Sequence, residues 1–274
     1  MKKQSTHCAL KPILLAVLVA VGQGLSWAPA VPCPAVPVWG QGLTARIIEA
    51  RAKLQEGWTA WKEEAMKTGR DMFLKLVLEE KSANADLCYY LALSDHRLIV
   101  YAFAVGKTAE AAPLIAEARK YLEKAIELDP GRGELYALQA VVLGYEIALD
   151  PQKGMEMGMQ IIFSFAQAES KEPDNPRVSL LKGESLMFWP VEYGGGPDNV
   201  IAALDRALAL FEKEKVIDPV KPSWGKEEAY AFLARAYAQK GARDKAVEYM
   251  KKALEISPDF RLAQEELKKL QAEK

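Results

Sequence analysis

"EEAYAFLARAYAQKGARDKAVEYMKKALEISPDF", Glu227 to Phe260, reads as two helices and a turn. Leu233, Ala234 and Tyr237 recur at helical spacing, and Gly241 then permits a tight reversal. Ala246, Met250 and Ala253 fall on one face of a second helix, which Pro258 stops. Two antiparallel helices approach closely only where side chains are short, so Ala234, Ala246 and Ala253 mark the crossing.

The second-helix signature recurs upstream. "ARKYLEKAIELDP" carries Ala118, Leu122, Ala125 and Pro130, and "IIFSFAQAESKEP" carries Ile161, Phe165, Ala168 and Pro173. "VIAALDRALALF" (Val200, Leu204, Ala207) and "GRDMFLKLVLEEK" (Gly69, Phe73, Leu76) keep the phase without the proline. First helices align too, each ending on a small residue: Ala92, Ala140, Gly183 and Ala234. Successive signatures stand 49, 43, 39 and 46 residues apart, so the internal phase is constant while the connections vary. Repetition of this kind implies helical hairpins stacked in a row, with individuality concentrated in the longer connections.

The pattern resembles the tetratricopeptide repeat, a helix–turn–helix unit of 34 residues. Here Met250 and Tyr230 stand where phenylalanine and tryptophan are commoner. The resemblance implies an all-α fold, a right-handed α-solenoid of such hairpins. Repeats are expected at about 85–130, 133–173, 176–215 and 226–258, after an N-terminal hairpin at 43–80 in which Trp58 and Trp61 are candidate anchors. A polar-faced capping helix is expected at 261–272, the whole solenoid spanning 42–274. "NPRVSLLKGESLMFWPVEYGGGPDNV" and "DPVKPSWGKEEAY" also resemble a bacterial exported group sharing "NPR", "GGG" and "P-x-W-G", over roughly residues 70 to 260. A looser likeness is to the tetratricopeptide component of TRAP transport systems. It would imply a ligand-binding transporter accessory, with an apolar cavity under Phe163, Phe165, Met187 and Phe188.

The chain begins differently. Lys2, Lys3 and Lys11 surround the run "ILLAVLVAV" (Ile13 to Val21), and "WAPA" places Ala28 and Ala30 as a cleavage site wants them. The run is shorter than the ~20 residues a membrane span needs. Residues 1–30 therefore read as a signal peptide and 31–41 ("VPCPAVPVWGQ") as a proline-rich leader, with a periplasmic or secreted product and no membrane span after cleavage. Removing those three lysines from the 36 basic residues leaves 33 against 37 acidic ones, a net charge of −4, which offers nothing to nucleic acid. Cleavage would leave His96 as the single histidine, with Cys33 and Cys88, too few imidazoles for a histidine metal cluster, and in the helix-like stretch "LSDHRLIVYAF" His96 reads as a surface or interface residue rather than a nucleophile's base. No cofactor, metal or enzymatic activity is expected. Cys33 and Cys88 read better as thiols than as a bridge, which an oxidising compartment would still permit.

"YGGGPDN", Tyr193 to Asn199, could cradle a phosphate, but no strand precedes it and no lysine with Ser/Thr follows. Asp198 places negative charge where an anion would dock, so the stretch reads as an interhelical turn.

In tetratricopeptide arrays the first helices line a concave groove. The resemblance thus implies partner contacts at Asp86, Tyr89, His96 and Arg97, then Glu134 and Tyr145. Arg177, Glu184 and Phe188 follow, then Glu228, Arg235 and Gln239. Mixed aromatics and charges suit a protein or peptide partner, so the expected function is an exported scaffold.

Overall fold

A computed structural model describes residues 38–80 and 83–272, with side chains from residue 42 onward. The expected signal peptide, the leader up to Pro37, and Cys8, Cys33 and His7 lie outside the described residues. Eleven α-helices and no strand occur among those that are described. They are α1 (Val38–Thr59), α2 (Glu63–Glu79), α3 (Ala85–Ala104), α4 (Ala111–Leu128), α5 (Gly133–Leu149) and α6 (Gly154–Lys171). There follow α7 (Pro176–Leu186), α8 (Pro197–Phe211), α9 (Lys226–Gln239), α10 (Arg243–Ile256) and α11 (Arg261–Ala272). Consecutive helices pair α1 with α2, α3 with α4, and so on to α9 with α10, and α11 packs on α10.

The first described residues, Val38 to Gln41, are helical in α1 although they fall within the stretch expected as leader, and no proline after Pro37 interrupts that helix.

Local chemistry sets the other boundaries. The Asn84 side chain accepts from the Asp86 and Leu87 amides at 2.9 and 3.1 Å, capping α3. Asn175 caps α7 in the same way, with Pro176 in the first turn where no amide is missed. Ala118, Ile161, Val200 and Ala246, the same step of α4, α6, α8 and α10, are all buried. Each second helix thus drives one equivalent stripe into the stack. At Gly183 a methyl group would lie 2.7 Å from the Leu204 side chain, so only glycine lets α7 and α8 approach this closely.

The three glycines are a turn, as expected. Gly194 and Gly196 hold φ of 92° and 95°, and a Cβ on Gly195 would fall 1.9 Å from the Trp189 carbonyl oxygen. The Asn199 side chain donates to the Gly194 carbonyl at 3.1 Å, fastening the turn to the α8 start. Asp198 pairs with Lys240 on the next hairpin.

Helix α3 is central and buried on nearly every side from Leu87 to Ile99. Trp58 is buried against it, and Trp61 meets Tyr101 of α3 with ring centroids 5.4 Å apart. Cys88 is buried on the same helix.

Asp95, fully buried on α3, bonds Arg70 of α2 through one oxygen and leaves the other without a partner. Burial pushes its carboxyl up to about 7 against the opposing pull of Arg70, with Glu117 adding a smaller upward push. Native Asp95 therefore holds its proton above the unfolded value of about 4. Its contribution to stability is complete below that value and is lost as pH rises through 7. The stability advantage of the wild type over Asp95→Asn is expected to shrink between pH 5 and pH 8, read from urea midpoints at the two pH values. An advantage that grows with pH would contradict the assignment.

Candidate functional site: the strapped concave face

The first helices α3, α5, α7 and α9 turn polar side chains toward one another, and residues 212–225, joining α8 to α9, run back across them as a strap. Arg51 on α1 donates to the carbonyls of Pro219 and Lys221 at 2.8 and 2.7 Å and to the Ser223 hydroxyl at 2.9 Å. Tyr90 donates to the Val220 carbonyl and Arg177 to that of Pro222. Side-chain donors thus hold the strap by its backbone, the way a groove holds an extended peptide.

At its C-terminal end the strap plugs into the core. The Trp224 indole N–H donates to the Tyr89 hydroxyl at 2.8 Å, and Tyr89 in turn donates to Glu134. Burial, then the Glu134 charge, holds the Tyr89 phenol well above its ordinary range, so it stays a donor. Arg97 lies between two indoles, its guanidinium carbon 3.9 Å from the Trp58 ring centre and 4.6 Å from that of Trp224. Its two terminal nitrogens grip both Glu228 oxygens.

A second cluster borders the first. Arg132 stacks 4.1 Å over the Tyr89 ring and donates to Asp86 at 2.9 Å, while Lys221 of the strap reaches the same carboxylate at 3.1 Å. Asn175 donates to Glu134 and Glu172 at 3.1 and 3.0 Å, and Arg177 to Glu214 at 2.6 Å.

The expectation of an open groove is corrected at seven positions. Tyr89, His96, Arg97, Glu134, Arg177, Glu184 and Glu228 are all buried, because the strap and facing first helices cover them. His96 sits 3.3 Å from Glu184, and its ring faces Tyr145, which is half-buried. Asp86 is half-buried under Lys221. Arg235 is turned away from the strap, bonded to Glu266 of α11. Phe188 and Gln239 are exposed, outside the network. Sequence reasoning missed Arg51, Tyr90, Arg132, Glu214 and Trp224. The signal available for the last two was the connection itself, too long for an interhelical turn and carrying "PSWG".

What stays open is a cleft of about 440 Å³ beside the strap. Its walls are the α4–α5 turn with Arg132, the α6–α7 turn with Glu172 and Asn175, and strap residues from Glu214 to Asp218. Val216 and Ile217 stand at this rim, and Ile217 is 92% exposed. Phe165 lies in the core while Phe163 and Phe188 are exposed, so these rings do not enclose one cavity. Among the described residues no three His, Cys, Asp or Glu side chains gather as a metal site requires. No described helix is long and apolar enough to cross a membrane.

The tetratricopeptide repeat family matches residues 114–132 and 227–260 of this chain. No curated protein matches it. Among solved structures it resembles the HusA haemophore from Porphyromonas gingivalis, at 22% identity and a TM-score of 0.59 over 74% of this chain and 94% of that one. It also resembles TTC0263, a tetratricopeptide protein of Thermus thermophilus, at 18% identity and a TM-score of 0.55, covering 81% of this chain and 98% of that one. The chain is an all-α solenoid with tetratricopeptide repeats.

Proposed function

We propose that this chain is an exported tetratricopeptide scaffold, periplasmic or secreted, that binds a protein or peptide partner beside its strap rather than along the whole concave face. The observation that carries this reading is Ile217, a bare isoleucine on the rim of a polar cleft. An exposed apolar knob next to paired charges has the composition of a small contact surface, apolar anchor within polar rim. The lysine-flanked apolar run and "WAPA" at the chain's start support export.

The buried carboxylates favour a scaffold over an enzyme. Glu134 and Glu228 are engaged by a phenol and a guanidinium, and Glu227, raised by burial and by its neighbour Glu228, takes a hydrogen bond from Gln55. Of the carboxylates that do line the cleft, Glu134 and Glu172 accept from Asn175 and Glu214 accepts from Arg177, so these three are tied into the network that holds the strap. The single described histidine is buried against Glu184, so the haemophore's name lends nothing to this reading.

Affinity capture from envelope extract tests it, comparing the wild type with Ile217→Asp/Lys215→Glu. Both residues are exposed, so the urea midpoint should hold while specific recovery falls at least roughly tenfold, about 1.4 kcal/mol of binding. Undiminished recovery would remove the cleft from consideration.

A further inference from the structure

Helix α6 carries two apolar stripes on opposite sides. Met157, Ile161, Ser164 and Ala168 are buried in its own hairpin. Met155, Met159, Ile162 and Ala166 point outward, with exposures of 91%, 67% and 45% for the first three, and Phe163 beside them is 64% exposed. A helix apolar on both sides is normally covered on both. The outward residues step by four, three and four positions, the spacing of a coiled-coil seam. The occupant such a seam fits is another helix.

We propose that this occupant is α6 of a second copy of the chain, running antiparallel about a two-fold axis. The seam is self-complementary in that direction. Met155, the longest and most exposed residue, falls opposite the small Ala166 of the other copy, and Met159 opposite Ile162, so each layer holds a similar volume. Parallel pairing would set methionine on methionine and alanine on alanine, a seam too wide at one end and too narrow at the other. Antiparallel helix dipoles also align favourably. Such a pair buries roughly 1,000 Å² in total, the lower end of specific interfaces, so association in the micromolar range is expected. This inference is independent of the cleft beside the strap.

Sedimentation equilibrium of the purified protein across micromolar concentrations tests it. The wild type should move from monomer toward twice that mass as concentration rises. Ile162→Glu should stay at monomer mass throughout, since it buries a lone carboxylate against Met159 of the other copy in both central layers. Met159→Lys/Ile162→Glu should regain the doubled mass, because antiparallel packing sets each lysine opposite a glutamate. Urea midpoints confirm that the variants fold, and Met155→Glu replaces Ile162→Glu if that variant does not. A wild type that remains monomeric, an Ile162→Glu protein that dimerises undiminished, or a double variant that fails to recover each overturns the proposal.

Discussion

Arg97→Met should lower folding stability by about 3–5 kcal/mol, the cost of leaving a buried carboxylate without its counter-charge. Arg97 is 1% exposed, and both oxygens of Glu228 depend on it. The methionine keeps apolar contact with Trp58 and Trp224 but strands Glu228 among them. Adding Glu228→Met should recover most of the loss, because an apolar pair of similar volume carries no desolvation penalty. Urea denaturation of the wild type, single and double variants is the measurement. A single-variant loss below about 1 kcal/mol would mean that the pair behaves like a surface ion pair.

Trp224→Ala is the second large effect, expected at about 3–5 kcal/mol for an emptied aromatic site. The indole fills the space beside Arg97 and donates to Tyr89, which passes the bond on to Glu134. Trp224→Phe keeps most of the ring and loses the donor, for about 1–3 kcal/mol. The strap should also loosen. Lys213 and Lys215 are exposed along it, so tryptic cleavage of Trp224→Ala should be faster than that of the wild type under native conditions. Equal cleavage rates would show that the strap does not hang on this residue.

The second helices were legible because their information is local. A stripe at Ala118, Leu122 and Ala125 is buried whatever else the chain does, and Pro130 ends its helix by its own ring. "YGGGPDN" was readable for the same reason: φ requirements are properties of a few adjacent residues. The first helices were not. "LSDHRLIVYAF" places Asp95, His96 and Arg97 in succession, a signature of a wetted face, yet all three are buried. Their partners, Arg70, Glu184 and Glu228, come from three different hairpins, and no local pattern announces them. A long connection could be recognised, but not the direction in which it folds.

Stacked hairpins that touch only their neighbours can come apart one at a time, and their stability is close to a sum over units. This chain has bonds that violate that arrangement. Arg51 holds backbone 168 and 170 residues further on, and Arg97 holds a carboxylate 131 residues away. Losing the last hairpin therefore unseats the first, so melting should be all-or-none, without the stepwise fraying of a free-ended array. Truncation after α8 should leave no stable remnant, and folding should be slow for an all-helical protein, since the two ends must meet before either is secure.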